Sequence, residues 1–77
     1  MPTVLRINGY RFFFYSNDHT PAHIHVEKGE CTAKFDLDPV ELIHSKRFKS
    51  NEINEIRKII IENNDLLKAK WNEYFNN

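Results

Sequence analysis

Two short runs of strand-forming side chains near the start of the chain, residues 4–7 and 10–15, flank the dipeptide Asn8-Gly9. Asn-Gly is the preferred pair for a two-residue type I′ hairpin turn, because both of its positions need a positive φ. The pairs that this turn sets opposite each other on one apolar face are Ile7 with Tyr10, Leu5 with Phe12, and Thr3 with Phe14. Since side chains alternate along a strand, the other face is expected to carry Val4, Arg6, Arg11, Phe13 and Tyr15.

A second hairpin is predicted for residues 22–37, where apolar and polar side chains again alternate. A tight turn at Lys28-Gly29 would separate a strand over residues 22–27 from a strand over residues 30–37. The predicted apolar pairs are Val26 with Cys31, Ile24 with Ala33, and Ala22 with Phe35. On the other face, the same register sets His25 opposite Thr32 and His23 opposite Lys34. A shift of the register by one residue would turn the histidines into the core, so the pattern excludes such a shift.

The pattern changes after Asp38-Pro39, which ends the second hairpin. Residues 40–43 are expected to form a short element, either one turn of helix or an edge strand, and residues 44–49 a basic connector. From Ser50, a good N-cap residue, apolar side chains recur at helical spacing. They are Ile53, Ile56, Ile60, Leu67, Trp71 and Tyr74.

The helical pattern is interrupted at Asn63-Asn64-Asp65. An unbroken helix over residues 51–76 would be about 39 Å long, whereas a domain of this length has a radius of gyration of roughly 11 Å. We therefore expect a kink or a break near Asn64. The predicted fold is α+β, a four-stranded antiparallel sheet of two hairpins whose apolar face is covered by C-terminal helix.

Chain length predicts one domain, residues 1–77, with a marginal core. A chain of 77 residues buries only about 60% of its unfolded surface. We therefore expect that a partner protein or the formation of a homodimer stabilises the fold.

Composition excludes several classes of function. The 11 basic and 11 acidic side chains cancel, so there is no overall attraction to nucleic acid or to anionic membranes. The single Cys31 cannot form an internal disulfide, which favours a reducing compartment. With no export leader and no long apolar run, we expect a cytoplasmic protein that does not contact a membrane.

The face of the sheet that the helix leaves open is expected to gather cations and aromatic rings, although the chain as a whole is neutral. Cations for phosphate contact and rings for base stacking are what the binding of single-stranded RNA needs. The candidate RNA-binding residues are Arg6, Arg11, Tyr15 and His19. The alternative is that Phe13, Tyr15 and Val4 form a dimer or partner interface, because large exposed apolar patches usually mark contacts.

Histidines are the strongest chemical signal, since three of the four lie within residues 19–25. His23 and His25, two apart on a strand, could act as the base and the acid that cleave a phosphodiester. Lys34 or Arg11 would offset the charge of the pentavalent phosphorus. His23, His25 and Lys34 are the candidate catalytic set, and the implied reaction is RNA cleavage without a cofactor or a metal.

Two other interpretations of the histidines stay open. His23 and His25 could bind a metal ion if His19 or Asp18 supplied a third ligand. They could also be structural, as half-exposed imidazoles hydrogen-bonded to Thr32, to Asp36 or to a partner chain.

Several segments resemble the small prokaryotic family catalogued as domain of unknown function 4160. They are residues 10–19, Pro21, residues 23–29, Phe35, Leu37, residues 39–42 and residues 71–75. The resemblance covers nearly the whole chain, and the histidine block is its most specific part. One departure is Ala22, where the family often has a second proline.

The resemblance implies a toxin–antitoxin-like gene pair, because members are often encoded beside another small family, domain of unknown function 2442. We therefore expect a small cognate partner encoded by a neighbouring gene, and RNA as the target of a toxin-like member. The alternatives are a partner-binding, antitoxin-like or regulatory module without enzymatic activity, and a histidine metal-binding protein.

Overall fold

A computed structural model describes residues 3–75, which form five strands and two helices. The strands are β1 (Thr3–Ile7), β2 (Tyr10–Phe13), β3 (His23–Lys28), β4 (Cys31–Leu37) and β5 (Val40–Lys46), and the helices are α1 (Ser50–Glu62) and α2 (Asn64–Phe75). All neighbouring strands pair antiparallel, in the order of the chain. The α+β class with an antiparallel sheet and a helical C-terminal part is confirmed, but the predicted number of four strands is wrong.

Strand β5 replaces the predicted short element and basic connector. The two-residue connection Asp38-Pro39, which contains a cis peptide bond, sets Val40 directly opposite Leu37, so the ladder continues at once. A bulge then leaves Ile43 without a direct partner, between Leu42 opposite Phe35 and His44 opposite Lys34. This extra residue interrupts the two-residue alternation, which is why the sequence pattern left residues 40–43 open between a helical turn and an edge strand.

The first hairpin has the predicted type I′ geometry, with φ of 54° at Asn8 and 85° at Gly9. Ile7 pairs with Tyr10 as predicted. Thr3 pairs with Phe13 and not with Phe14, because a bulge at Val4 shifts the register. Val4 therefore packs against the hydrophobic core, and its predicted place on the open face is wrong.

The second hairpin keeps its predicted faces but not its predicted partners. The turn residues are Gly29-Glu30, so that Lys28 pairs with Cys31. Gly29 has a φ of 60° in the first turn position, whereas a turn at Lys28-Gly29 would force a positive φ on a lysine. The register consequently moves by two residues: His25 faces Lys34 in place of Thr32, and His23 faces Asp36 in place of Lys34.

The helical part breaks where the three polar residues predicted a break. Asn63 ends α1, with its side-chain amide donating to the Ile59 carbonyl at 2.9 Å. The Asn64 amide donates to the Leu37 carbonyl at 2.8 Å and fixes the junction to β4. At the other end of α1, Lys49 and not Ser50 is the N-cap, and its backbone N–H donates to Glu52 at 2.9 Å.

Both helices cover the same face of the sheet. The core consists of alternate residues of the strands packed against one side of each helix. The fully buried members of this core include Phe12, Ile24, Val26, Phe35, Ile56, Ile60 and Leu67. No helix in residues 3–75 is long and apolar enough to cross a bilayer. The longest dimension of the chain is 36 Å, which is shorter than the unbroken helix of about 39 Å. The break therefore lets both helices stay on the sheet.

Replacing Ile60 with alanine should lower the free energy of unfolding by about 2–5 kcal/mol, because removing a buried side chain leaves a cavity. Ile60 is fully buried, whereas its neighbour Ile61 is 56% exposed. Ile61→Ala is the matched control and should change stability by less than about 0.5 kcal/mol. Urea unfolding followed by circular dichroism measures both. Equal losses would contradict the packing of α1.

Tyr10 should be the last tyrosine to ionise. Burial, and then the hydrogen bond and charge of Glu55, raise the pKa of its phenol to about 12. Because this pKa is higher than the value of about 10 in an unfolded chain, the phenol stabilises the fold fully below pH 10, and that contribution is lost as the pH rises through 12. An ultraviolet titration should show a late tyrosine that Tyr10→Phe removes. Loss of the same late phase in Tyr74→Phe, an exposed control, would contradict the assignment.

Candidate functional site

The open face of the sheet carries a row of side chains that runs from β2 to β5. Phe13, His25, Lys34 and His44 are successive cross-strand partners. Direct partners project from the same face of a sheet. Lys34, which the sequence predicted opposite His23, thus lies opposite His25, and His44 joins them. The sequence could have indicated His44 only if β5 had been recognised as a strand.

A carboxylate from the loop between β2 and β3 lies over this face. The loop turns back at Asp18, whose backbone N–H donates to the Tyr15 carbonyl at 3.1 Å. In return, the backbone N–H of Tyr15 donates to Asp18 Oδ2 at 2.9 Å. These two bonds hold the Asp18 side chain, which is 10% exposed, in a fixed position.

Both strand imidazoles point at this carboxylate. Asp18 Oδ1 lies 3.1 Å from His23 Nε2 and 3.2 Å from His25 Nε2, while Oδ2 is also 3.2 Å from His25 Nε2. One potential ligand atom from each of the three residues lies within 4.8 Å of the other two. Asp18, His23 and His25 could therefore hold a metal ion, and we call them the Asp-His-His cluster.

His23 is held from both sides of its ring. Its Nδ1 lies 2.9 Å from the Pro21 carbonyl oxygen, and because a carbonyl can only accept, Nδ1 must donate. In a neutral imidazole, Nε2 would then carry a lone pair directed at Asp18 Oδ1. Two facing lone pairs repel, so a positive charge must lie between them. That charge is either a second proton on His23 or a metal ion.

Aromatic rings enclose the two imidazoles. His23 lies 5.0 Å from Trp71 of α2, measured between ring centroids, and keeps 6% of its side chain exposed. His25 stacks on Phe13 at 5.5 Å and meets the edge of Tyr15 at 4.6 Å. The helix layer thus reaches the site through Trp71, and both rings have fixed orientations.

The electrostatics favour an ionised carboxylate beside a neutral His25. Burial lowers the pKa of His25 most, and the charges of His23 and Lys34 lower it further, against an opposing effect of Asp18. For Asp18, burial alone would raise the pKa, but the hydrogen bonds from Tyr15, His23 and His25 together lower it. An anionic carboxylate and a neutral imidazole are the forms that bind metal ions.

Two adjoining clefts open beside the cluster. One, of about 480 Å³, is lined by the loop with Asp18 and His19 and by His23, Lys34 and Asp36. The other, of about 380 Å³, is lined by Tyr15, His25, Thr32, Lys34 and His44. Lys34 and the bulge residue Ile43 line both clefts.

The remaining sequence-predicted site residues are dispersed. Arg11 forms an ion pair with Glu27 at 3.0 Å and lies over the Phe13 ring, so its charge is already compensated. Arg6 is exposed opposite Arg11, and neither arginine lines a cleft described above. Tyr15 lines the smaller cleft and His19 the larger one. The structure thus brings His23, His25 and Lys34 together and leaves Arg6 and Arg11 outside.

Comparison with curated proteins gives no match, and comparison with solved structures gives none. A family model does match, over residues 9–72. Its description is "Domain of unknown function (DUF4160)", and the match includes the loop of Asp18 and the strands that carry the histidines. The chain belongs to this family.

Proposed function

We propose that the protein binds single-stranded RNA on the open face of its sheet, as the toxin-like member of a two-gene module. The observation that carries this proposal is the cleft of about 380 Å³, which combines the Lys34 ammonium, the His44 imidazole and the Tyr15 ring. A cation for phosphate beside an exposed ring for base stacking is the common arrangement in single-strand binding.

Lys34 and Tyr15 are both available for such a contact. Within residues 3–75, no carboxylate lies at ion-pair distance from Lys34, in contrast to Arg11. Tyr15 is 41% exposed, although one edge of its ring contacts His25. An uncompensated ammonium and an accessible ring therefore lie within one cleft.

The affinity should depend only moderately on salt. The chain has no net charge, and Lys34 is the lysine that lines the cleft. With about one phosphate contact, the logarithm of the association constant should fall with the logarithm of the salt concentration with a slope of about −0.7. Binding would thus rely on stacking as much as on charge.

RNA cleavage by the free imidazoles of His23 and His25 has less support than binding. A general acid must reach the leaving oxygen of its substrate. His23 is 6% exposed and is held by Pro21, Asp18 and Trp71. We therefore give His23 a positioning role, whereas His25 and Lys34 stay as candidates for direct contact.

Lys34→Ala and Tyr15→Ala should each weaken RNA binding about tenfold, because they remove the phosphate contact and the stacking ring. Fluorescence anisotropy with a labelled oligouridine at low salt measures the dissociation constants. Lys58→Ala, which changes an exposed lysine of α1, is the matched control. The proposal is wrong if wild-type protein does not bind, or if the Lys58 variant loses as much affinity as the Lys34 variant.

A second candidate function is binding of the cognate partner on the same face. Tyr15 and Ile43, at 41% and 47% exposed, are large side chains at the cleft, and exposed apolar groups around a polar centre often mark contacts. A partner that covered them would also close the cleft to RNA. This is how an antitoxin-like protein could neutralise the activity.

Ile43→Asp should abolish capture of the small protein encoded by the neighbouring gene, because it sets a charge in the proposed interface. Ile61→Asp, at a somewhat more exposed isoleucine on α1 (56%), should leave capture unchanged. Co-expression followed by size-exclusion chromatography compares the two variants. A complex that survives Ile43→Asp would place the interface elsewhere.

A further inference from the structure

We infer that Asp18, His23 and His25 form a binding site for a divalent transition-metal ion, with Zn²⁺ as the best match. The site goes beyond the proposed RNA binding and does not depend on it. Its donors are one carboxylate oxygen and two imidazole nitrogens. This mixture suits Zn²⁺ and related ions, and it disfavours Mg²⁺ and Ca²⁺, which prefer oxygen ligands alone.

The distances fit a single ion. Zinc bonds to histidine nitrogen and carboxylate oxygen are about 2.0–2.2 Å long, so neighbouring ligand atoms of a tetrahedral site lie about 3.4 Å apart. Asp18 Oδ1 is 3.1 Å from His23 Nε2 and 3.2 Å from His25 Nε2. One oxygen thus already lies near the length of a tetrahedral edge from both nitrogens, and one ligand atom from each of the three residues lies within 4.8 Å of the other two.

Two ligands also have the supporting bonds that metal sites use. Metal-binding histidines generally donate their second ring nitrogen to a carbonyl or a carboxylate. His23 does so, since Nδ1 donates to the Pro21 carbonyl at 2.9 Å. The second oxygen of Asp18 accepts the Tyr15 backbone N–H at 2.9 Å, which fixes the carboxylate and leaves Oδ1 for the ion.

The charge balance calls for a cation at this point. His23 Nε2 and Asp18 Oδ1 face each other at 3.1 Å with both side chains largely buried. A second proton on His23 would satisfy this pair, and a neutral His25 with its proton on Nε2 would donate to Asp18. A single metal ion would bind all three residues at once, because both Nε2 atoms converge on the same oxygen.

The site has room for a further ligand. Three protein ligands leave one position of a zinc tetrahedron open, as in catalytic zinc sites. Asp18 and His23 line the larger cleft together with Lys34. A water molecule or an anionic oxygen, such as that of a phosphate group, could occupy that position beside the lysine ammonium.

Titration of metal-free, untagged protein with Zn²⁺, followed by isothermal calorimetry without RNA, tests the site. We expect one ion per chain, and at least a 100-fold loss of affinity in Asp18→Asn and in His25→Gln. Glu62→Gln and Glu73→Gln change exposed carboxylates outside the cluster and should bind as the wild type does. Circular dichroism of each variant establishes that it is folded.

Nitrogen-15 NMR of the imidazoles distinguishes the ion from a proton. With one equivalent of Zn²⁺, the Nε2 resonances of His23 and His25 should take the shifts of metal-bound nitrogen, without a bound proton. Persistence of a His23 Nε2 proton at saturating Zn²⁺ would show a protonated ion pair and overturn the inference. Unchanged affinity in the folded Asp18→Asn and His25→Gln variants would overturn it as well. RNA binding is measured separately, so either proposal can fail alone.

Discussion

The constraint on which the structure depends is that one face of a small antiparallel sheet must be buried under helices. The chain of 77 residues has few apolar side chains to spare, so those that alternate along β1 to β4 must all face the same layer. The break at Asn63 lets α1 and α2 both lie on that layer. Everything polar on the same strands is then forced onto the opposite face.

That separation of faces produces the site. His23 and His25 project from the open face because Ile24 between them is fully buried. Trp71 joins the two sides of the protein, since it packs on Phe14 in the core at 5.3 Å and on His23 in the site at 5.0 Å. The orientation of one candidate ligand therefore depends directly on the packing of α2.

Much of the fold was predictable from the sequence because it rests on local rules. The Asn8-Gly9 turn, the alternating faces of β3 and β4 and the break near Asn64 all follow from short patterns. The errors arose where one extra residue in a strand, or a turn placed one residue later, changes which residues pair across the sheet. Bulges at Val4 and Ile43 and the choice of turn at Gly29-Glu30 shifted partners by one or two positions. The bulges cost little in local preference, so the sequence does not reveal them, whereas the turn follows from the positive φ that Gly29 adopts more readily than Lys28 would.

The site was predictable in its members but not in its arrangement. The sequence singled out His23, His25 and Lys34, because imidazoles two apart on a strand share a face. It left open whether Asp18 or His19 completes the set, and it did not place His44.

The sequence by itself thus determined which side chains of β3 and β4 face away from the core, since burial of the apolar alternation on these two strands allows no other choice. Only the tertiary structure decided that Asp18 lies between the two imidazoles, that Trp71 covers His23 and that β5 adds His44 beside Lys34. These contacts join segments that are remote in the chain or cross an irregular loop. They depend on the path of the backbone, which no periodic pattern encodes.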